Sequence, residues 1–420
     1  MQIKTTYFPT LENVKLAAKK LEGVATVTPL MLNLQYSKKF GANILFKRED
    51  LQVVRSYKIR GAYNKMSSLS ELQKENGIVC ASAGNHAQGV ALSCKLLKIK
   101  GIIYMPSPTP NQKIEQVKMF GEEFIDIVIF GDSFDDANHA AMVECESKHR
   151  TFIHPFNDEK VIEGQATVGL EILNQTEKPI DYIFVAVGGG GLSSGLSSIF
   201  NYLSPKTKII GVEPTGAPSM LTSLKNGKNT ELKNIETFVD GAAVKKVGDL
   251  NFEICQQNLA DMITVDEGKV CQTILDLYNK DAIVVEPAGA LSIAALDFFA
   301  DEIRGKNVVC IVSGSNNDIT RTEEIKERAL LYANLKHYFI IKFPQRAGAL
   351  KDFLNEILGP NDDITHFEYT KKTNRENGAA VVGLQLKSAD DLQPLVQRMK
   401  EKNFYGEYLN DKPNLFQFLV

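Results

Sequence analysis

From about residue 40 the chain alternates short, β-rich apolar runs with longer amphipathic stretches. The runs Asn43–Lys47, Ile78–Ala81, Ile102–Met105, Phe124–Ile129, Tyr182–Val187, Ile209–Glu213 and Val308–Val312 have strand length and strand composition. Several are apolar at successive positions, as strands covered by helices on both faces should be. Between them lie helix-length segments such as His86–Leu97, Asn111–Phe120, Ser133–Lys148 and Leu192–Leu203. This alternation predicts an α/β architecture with mainly parallel sheets.

After Asn317 the pattern changes. Thr322–Asn334 reads as a charged helix able to connect two domains. A strand at Tyr338–Phe343, a helix at Ala347–Leu358, strands at Ile364–Tyr369 and Ala379–Leu386, a helix at Ala389–Lys400 and a short end segment follow. That order is β-α-β-β-α-β, the ferredoxin-like arrangement, and it places a domain boundary near residue 330.

Length and charge narrow the picture further. A chain of 420 residues exceeds what one hydrophobic core organises, so two or three domains are expected. A net charge of -3 gives no electrostatic case for nucleic acid or an anionic membrane as partner. No apolar run approaches a membrane span, and the N-terminal segment to Gly23 lacks the apolar core of a signal peptide. The six cysteines form no Cys-x-x-Cys pair, which favours buried reduced thiols over a zinc site or disulfide framework.

Candidate chemistry lies in four segments. In Phe46–Met66, Lys58 falls just before a helix-like stretch, where an amine can be held in a cleft. Taken alone, Lys58 reads better as a solvated surface lysine, as most lysines are, and its neighbours Lys47, Arg48, Arg60 and Lys65 strengthen that reading. Ser82–Ala91, "SAGNHAQGVA", joins a strand to a helix and offers free N–H groups and a positive dipole end to an anion. Val185–Gly195, "VAVGGGGLSSG", holds four consecutive glycines, each costing about 0.5–1 kcal/mol against alanine. A concave run of N–H groups around a phosphate gives a reason for that cost. The spacing matches neither a nucleotide P-loop nor a dinucleotide fingerprint. Finally, Asn307–Asp318 puts Ser313 and Ser315 at a strand's carboxyl edge, where open α/β sheets bind ligands.

Together these segments resemble the fold-type-II pyridoxal-phosphate enzymes, the tryptophan-synthase-β-like group, and within it the biosynthetic threonine dehydratases. The matching pieces are "KREDLQ", "SYKIRGAYN", "SAGNHAQGVA", "GGGGL", "GVEP", "VDGAAV", "EPAGA" and "SGSN", in family order over roughly residues 10 to 320. The resemblance implies two open twisted α/β subdomains in a catalytic part, 1–325, a linker, 326–336, and an α+β ferredoxin-like, ACT-like regulatory domain, 337–420. It implies pyridoxal 5'-phosphate as cofactor, with Lys58 as its Schiff-base lysine and the base that removes the substrate's Cα proton. By the same resemblance, Asn85 binds the cofactor's 3-hydroxyl oxygen, and Gly188, Gly189, Gly190, Gly191 and Leu192 cradle its phosphate. Ser313 faces the pyridine nitrogen, and Ser82, Ala83, Gly84 and Asn85 line the substrate carboxylate site. The implied reaction is deamination of L-threonine to 2-oxobutanoate and ammonia.

The segment Phe343–Leu350, "FPQRAGAL", is similar to the strand-to-helix turn of ACT-like domains, where an isoleucine or valine effector is the family expectation. The chain has room for one such module. The family also implies a cytoplasmic homotetramer. A serine-directed dehydratase or serine racemase of the same fold, and a non-catalytic amino-acid sensor, are the competing readings. Glu213, Asp240 and Glu286 are candidate acidic residues near such a site, but the sequence does not separate them from surface carboxylates, and no metal is expected. Glu49, Asp50 and Arg55 are equally ambiguous.

Overall fold

The computed structural model describes residues 7–369, 377–412 and 415–416. The chain divides between Ile319 and Thr320 into two compact units.

The first unit holds strands β1 (Leu30–Leu32), β2 (Asn43–Arg48), β3 (Ile78–Ala81), β4 (Gly101–Met105) and β5 (Ile125–Ile129). It continues with β6 (Thr151–Phe152), β7 (Tyr182–Ala186), β8 (Lys208–Pro214), β9 (Asp261–Val265) and β10 (Asn307–Val312). They form two sheets. One is six-stranded in the order β1-β2-β10-β7-β8-β9, parallel except for β1. The other is four-stranded and parallel in the order β5-β4-β3-β6. Every residue of β3 is buried, which explains its continuous apolar run.

The helices used below are α1 (Lys58–Ser67), α2 (Asn85–Leu97), α3 (Asn111–Gly121), α4 (Phe134–Ser147), α5 (Glu159–Gln175), α6 (Gly191–Leu203), α7 (Ser219–Asn226) and α8 (Pro287–Ala294). Strand order places the ends of β2, β10 and β7 side by side. Each carries one of the singled-out segments: Lys58 follows β2, Ser313 follows β10 and the tetraglycine follows β7. The segment with Asn85 leaves the carboxyl end of β3 in the other sheet. This is the edge at which open parallel sheets bind ligands.

The second unit contains α9 (Thr322–Tyr332), β11 (Lys336–Pro344), α10 (Ala349–Glu356), β12 (Asp363–Tyr369), β13 (Asn377–Gln385), α11 (Leu392–Glu401) and β14 (Tyr405–Tyr408). Its antiparallel sheet runs β12-β13-β11-β14, the strand order of a ferredoxin-like fold. Phe339, Ile341, Phe343, Val382 and Leu384 alternate along β11 and β13 and pack with Phe353 and Met399 from the helices. Gly348, at a φ of 85°, starts α10 two residues later than the sequence pattern suggests.

The basic stretch around Lys58 is not a solvated face. Arg60 on α1 is 1% exposed and Lys47 on β2 is fully buried. Arg60 donates to both oxygens of Glu49, at 2.8 Å each, and to Glu171 on α5 at 2.6 and 2.9 Å. Lys47 donates to the same Glu171 at 2.5 Å and to the Thr28 carbonyl at 2.6 Å. Two cations and two anions thus cancel inside the protein and bolt α1 to β2 and α5. Glu49 and Asp50 are therefore interior ion-pair residues; Asp50 accepts from Arg48 at 2.7 Å. Removing one partner strands a buried charge, so Arg60→Met should cost about 3–5 kcal/mol in urea unfolding of the first unit. A loss of about 1 kcal/mol or less, the scale of a surface pair, would contradict this placement.

Candidate active site

Lys58 opens α1, and the chain reaches it through a strained approach. Arg55 sits at a φ of 59°, a conformation that L side chains rarely adopt. Its carbonyl accepts from the Ser315 N–H at 2.9 Å, and the Tyr57 N–H donates to the Ser313 carbonyl at 3.2 Å. Ser56 pairs with Gly314 as an isolated antiparallel bridge. The lysine segment is therefore stitched directly to the end of β10, so Lys58 and Ser313 share one backbone frame. Ser315, whose hydroxyl donates to the Asp50 carbonyl at 3.1 Å, belongs to the same frame.

The Lys58 amine donates to the Pro155 carbonyl at 3.1 Å. That oxygen is neutral and the Tyr57 ring lies 5.3 Å from the amine, so among the described residues no anion touches an ammonium here. Burial consequently pushes Lys58 down to about 8, and the negative charge of Glu286 only partly opposes the fall. Pro155 is held in turn by His154, whose Nδ1 accepts from the N–H groups of Phe156 and Asn157 at 3.2 and 2.8 Å. Burial and the nearby Lys58 charge hold His86 down at about 3. Burial also lowers His154, to about 4. Both imidazoles are neutral near pH 7.

The loop Gly188–Gly190 and the first turn of α6 pack closely against their surroundings. A Cβ on Gly189 would lie 2.2 Å from the Phe156 ring, and one on Gly190 would lie 2.8 Å from the Asn251 Cβ. Gly190 also needs its φ of 92°. Among the described residues, the N–H groups of Gly188–Leu192 meet no protein acceptor. Five inward-packed residues with unanswered donors at a helix start suit a phosphate.

Ser82 to Asn85 form the second such junction. The Ser82 N–H donates to the Tyr104 carbonyl at 3.0 Å, and the Ser82 hydroxyl accepts from Gly84 at 3.3 Å. Asn85 begins α2, and its amide nitrogen donates to both carboxylate oxygens of Glu286, at 2.7 and 2.9 Å. Its oxygen accepts from Asn316 at 3.1 Å. One strand-end cluster thus brings together Lys58, Asn85 and Ser313, and Phe156 joins it to the tetraglycine turn.

The acidic candidates separate clearly. Glu286 is buried beside Asn85 and was illegible as such in sequence; its position ahead of an unbroken apolar helix, "PAGALSIA", was the available signal. Glu213 caps α7, accepting from the Met220 and Leu221 N–H groups at 2.6 and 2.9 Å, and burial raises it to about 8. Asp240 pairs with Lys113 at 2.5 Å on a partly exposed loop. Among the described residues, no three His, Cys, Asp or Glu side chains cluster as metal ligands would.

These residues fit pyridoxal phosphate: an amine of lowered basicity for its aldehyde, a donor cup for its phosphate and an oriented amide for its ring oxygen. Gly189→Ala should lower affinity for it about tenfold or more, since the added methyl forces the loop off Phe156. Unchanged cofactor content after gel filtration would show that the loop has room to spare.

A family model described as pyridoxal-phosphate dependent enzyme matches residues 21–314, and one described as the C-terminal regulatory domain of threonine dehydratase matches 327–419. The L-threonine dehydratase biosynthetic IlvA of Halalkalibacterium halodurans is 54% identical over 98% of this chain and 99% of its own. The protein of the same name from Bacillus subtilis is 54% identical over 98% and 97%. Among solved structures, the processed form of threonine deaminase isoform 2 from Solanum lycopersicum has a TM-score of 0.72 at 39% identity, covering 77% of this chain and 95% of its own. Maize serine racemase has a TM-score of 0.72 at 31% identity, covering 78% and 99%. The chain belongs to the pyridoxal-phosphate-dependent enzymes, in the branch of biosynthetic L-threonine dehydratases that carry a C-terminal regulatory domain.

Proposed function

We propose that this chain deaminates L-threonine to 2-oxobutanoate and ammonia, the first step of isoleucine biosynthesis. The observation that carries the reading is the Lys58 amine, held at the strand ends against a neutral carbonyl and lowered to about 8. Such an amine can give up its proton near neutral pH, form an imine, and later act as a base.

When bound, pyridoxal phosphate supplies the electron sink that makes a Cα proton removable. With the cofactor and substrate in place, the Lys58 amine would stand ready to take the Cα proton. The β-hydroxyl leaves as water; the released enamine takes up water and loses ammonia, which balances threonine against its products. The Ser82–Asn85 junction orients the substrate carboxylate through hydroxyl and N–H groups. Gly188–Leu192 would hold the phosphate, Asn85 the 3-oxygen and Ser313 the pyridine nitrogen. A serine there, in place of a carboxylate, would leave that nitrogen largely unprotonated.

The second unit is the regulatory module, with isoleucine or valine as effector in the region of Phe343–Leu350. The assembly is a cytoplasmic homotetramer, and no helix among the described residues is long and apolar enough to cross a membrane. Full-length agreement with the biosynthetic relatives, second unit included, favours threonine over the serine-directed readings.

Purified protein mixed with L-threonine should release 2-oxobutanoate, and isoleucine should slow it. Lys58→Ala should lower the rate by roughly a thousandfold. A kcat/KM for serine above that for threonine would overturn the substrate assignment.

A further inference from the structure

The chemistry of the cluster leaves one buried group without a role. Glu286 stands at the N-cap of α8, yet its side chain makes no hydrogen bond to the helix it precedes. Its carboxylate is turned instead toward Asn85 and also accepts the Asn316 backbone N–H. It is packed tightly there, because a Cβ on Gly314 would lie 2.4 Å from its Oε1. Glu286 is 4% exposed, and among the described residues no Lys or Arg pairs with it directly. A carboxylate is an expensive way to fill that space unless its charge or its geometry is used.

The geometry defines a use. Asn85 could present either end of its amide to a ligand, but Glu286 and Asn316 remove the choice. The oxygen faces the Asn316 donor and the nitrogen faces the Glu286 acceptor. Both carboxylate oxygens lie on one side of that nitrogen, while its two N–H bonds diverge, so one hydrogen remains for a ligand. Asn85 is thereby committed to donating, and it selects an acceptor such as a phenolate oxygen.

We propose that Glu286 is a positioning residue of the Lys58 site: through Asn85 it fixes an N–H donor on the cofactor's 3-oxygen, and its charge favours the protonated Lys58 nitrogen. This rests on the reading of the site given under the proposed function. Four ionisable groups face Glu286: Asp240 and Lys113 from the outer side, Lys58 and Tyr57 from the inner side. Burial, reinforced by Asp240, raises Glu286 to about 7, while the hydrogen bond from Asn85 and the charge of Lys113 oppose the rise. The carboxylate therefore ionises within the working pH range, and activity should have an acid limb that follows it.

The test uses the cofactor-loaded enzyme. Glu286→Gln keeps an acceptor for Asn85 but removes the charge. The pH midpoint of the cofactor's visible absorbance should fall by roughly one unit, and kcat should fall about tenfold with KM for threonine nearly unchanged. Glu286→Asp should restore the midpoint. A Gln variant that titrates and turns over like the wild type overturns the proposal, as does an Asp variant that behaves like Gln. If the Gln variant does not fold, Asp240→Asn serves on the loop outside: it removes an anion facing Glu286, so the acid limb of kcat should move to lower pH. An unmoved limb overturns the proposal. A wild-type protein with no visible cofactor band or no 2-oxobutanoate would instead defeat the functional reading itself.

Discussion

The Lys58 site depends on one constraint: an amine must be kept out of water without an anion touching it. A lysine ammonium normally resists burial unless it is paired. Here the backbone satisfies one N–H through the Pro155 carbonyl, the Tyr57 ring lies 5.3 Å away, and the charge of Glu286 compensates only in part. That arrangement makes the amine reactive, and it explains why the surrounding frame is so firmly tied. Arg55 is held in a left-handed conformation, and backbone bonds to Ser313 and Ser315 lock the approach. A looser frame would let the amine swing to the nearest carboxylate and become an ordinary ion pair.

The contrast with Lys47 and Arg60 shows the other solution within the same 14 residues. Those cations are buried more deeply than Lys58 but meet Glu171 and Glu49 within 2.5–2.9 Å. Pairing makes them inert and rigid. Their network fixes α1 from one side while β10 fixes its start from the other, and Lys58 sits at the junction. The anions are used up in the frame; Glu286, the carboxylate that acts on the amine among the described residues, is occupied by Asn85 and Asn316.

Much of this was legible in the sequence because it rests on local signals. Runs such as Ile78–Ala81 and Val308–Val312 are apolar at every position, so the strands were readable. Four consecutive glycines between a strand and a helix marked the turn, whose close packing against Phe156 and Asn251 only the fold reveals. The short strands β1, β6 and β9 were not: Thr151–Phe152 is two residues long, and its pairing with β3 comes from tertiary contact alone. The ion network escaped for a related reason. Arg60 looks like part of a solvated basic stretch until Glu171, 111 positions away, is folded against it. Glu286 was visible as a motif residue but not as a buried one, because its partner Asn85 lies 201 positions earlier. Long-range polar pairing, unlike periodicity, leaves no pattern in a single chain.

The claim on which the rest turns is that Lys58, among all the lysines, carries the cofactor. Borohydride reduction of the cofactor-loaded protein, followed by peptide mass spectrometry, reads that attachment directly. The account predicts a phosphopyridoxyl group on Lys58 and on no other lysine. Attachment at Lys47, Lys65 or elsewhere, or no attachment in protein that still binds the cofactor, would contradict it.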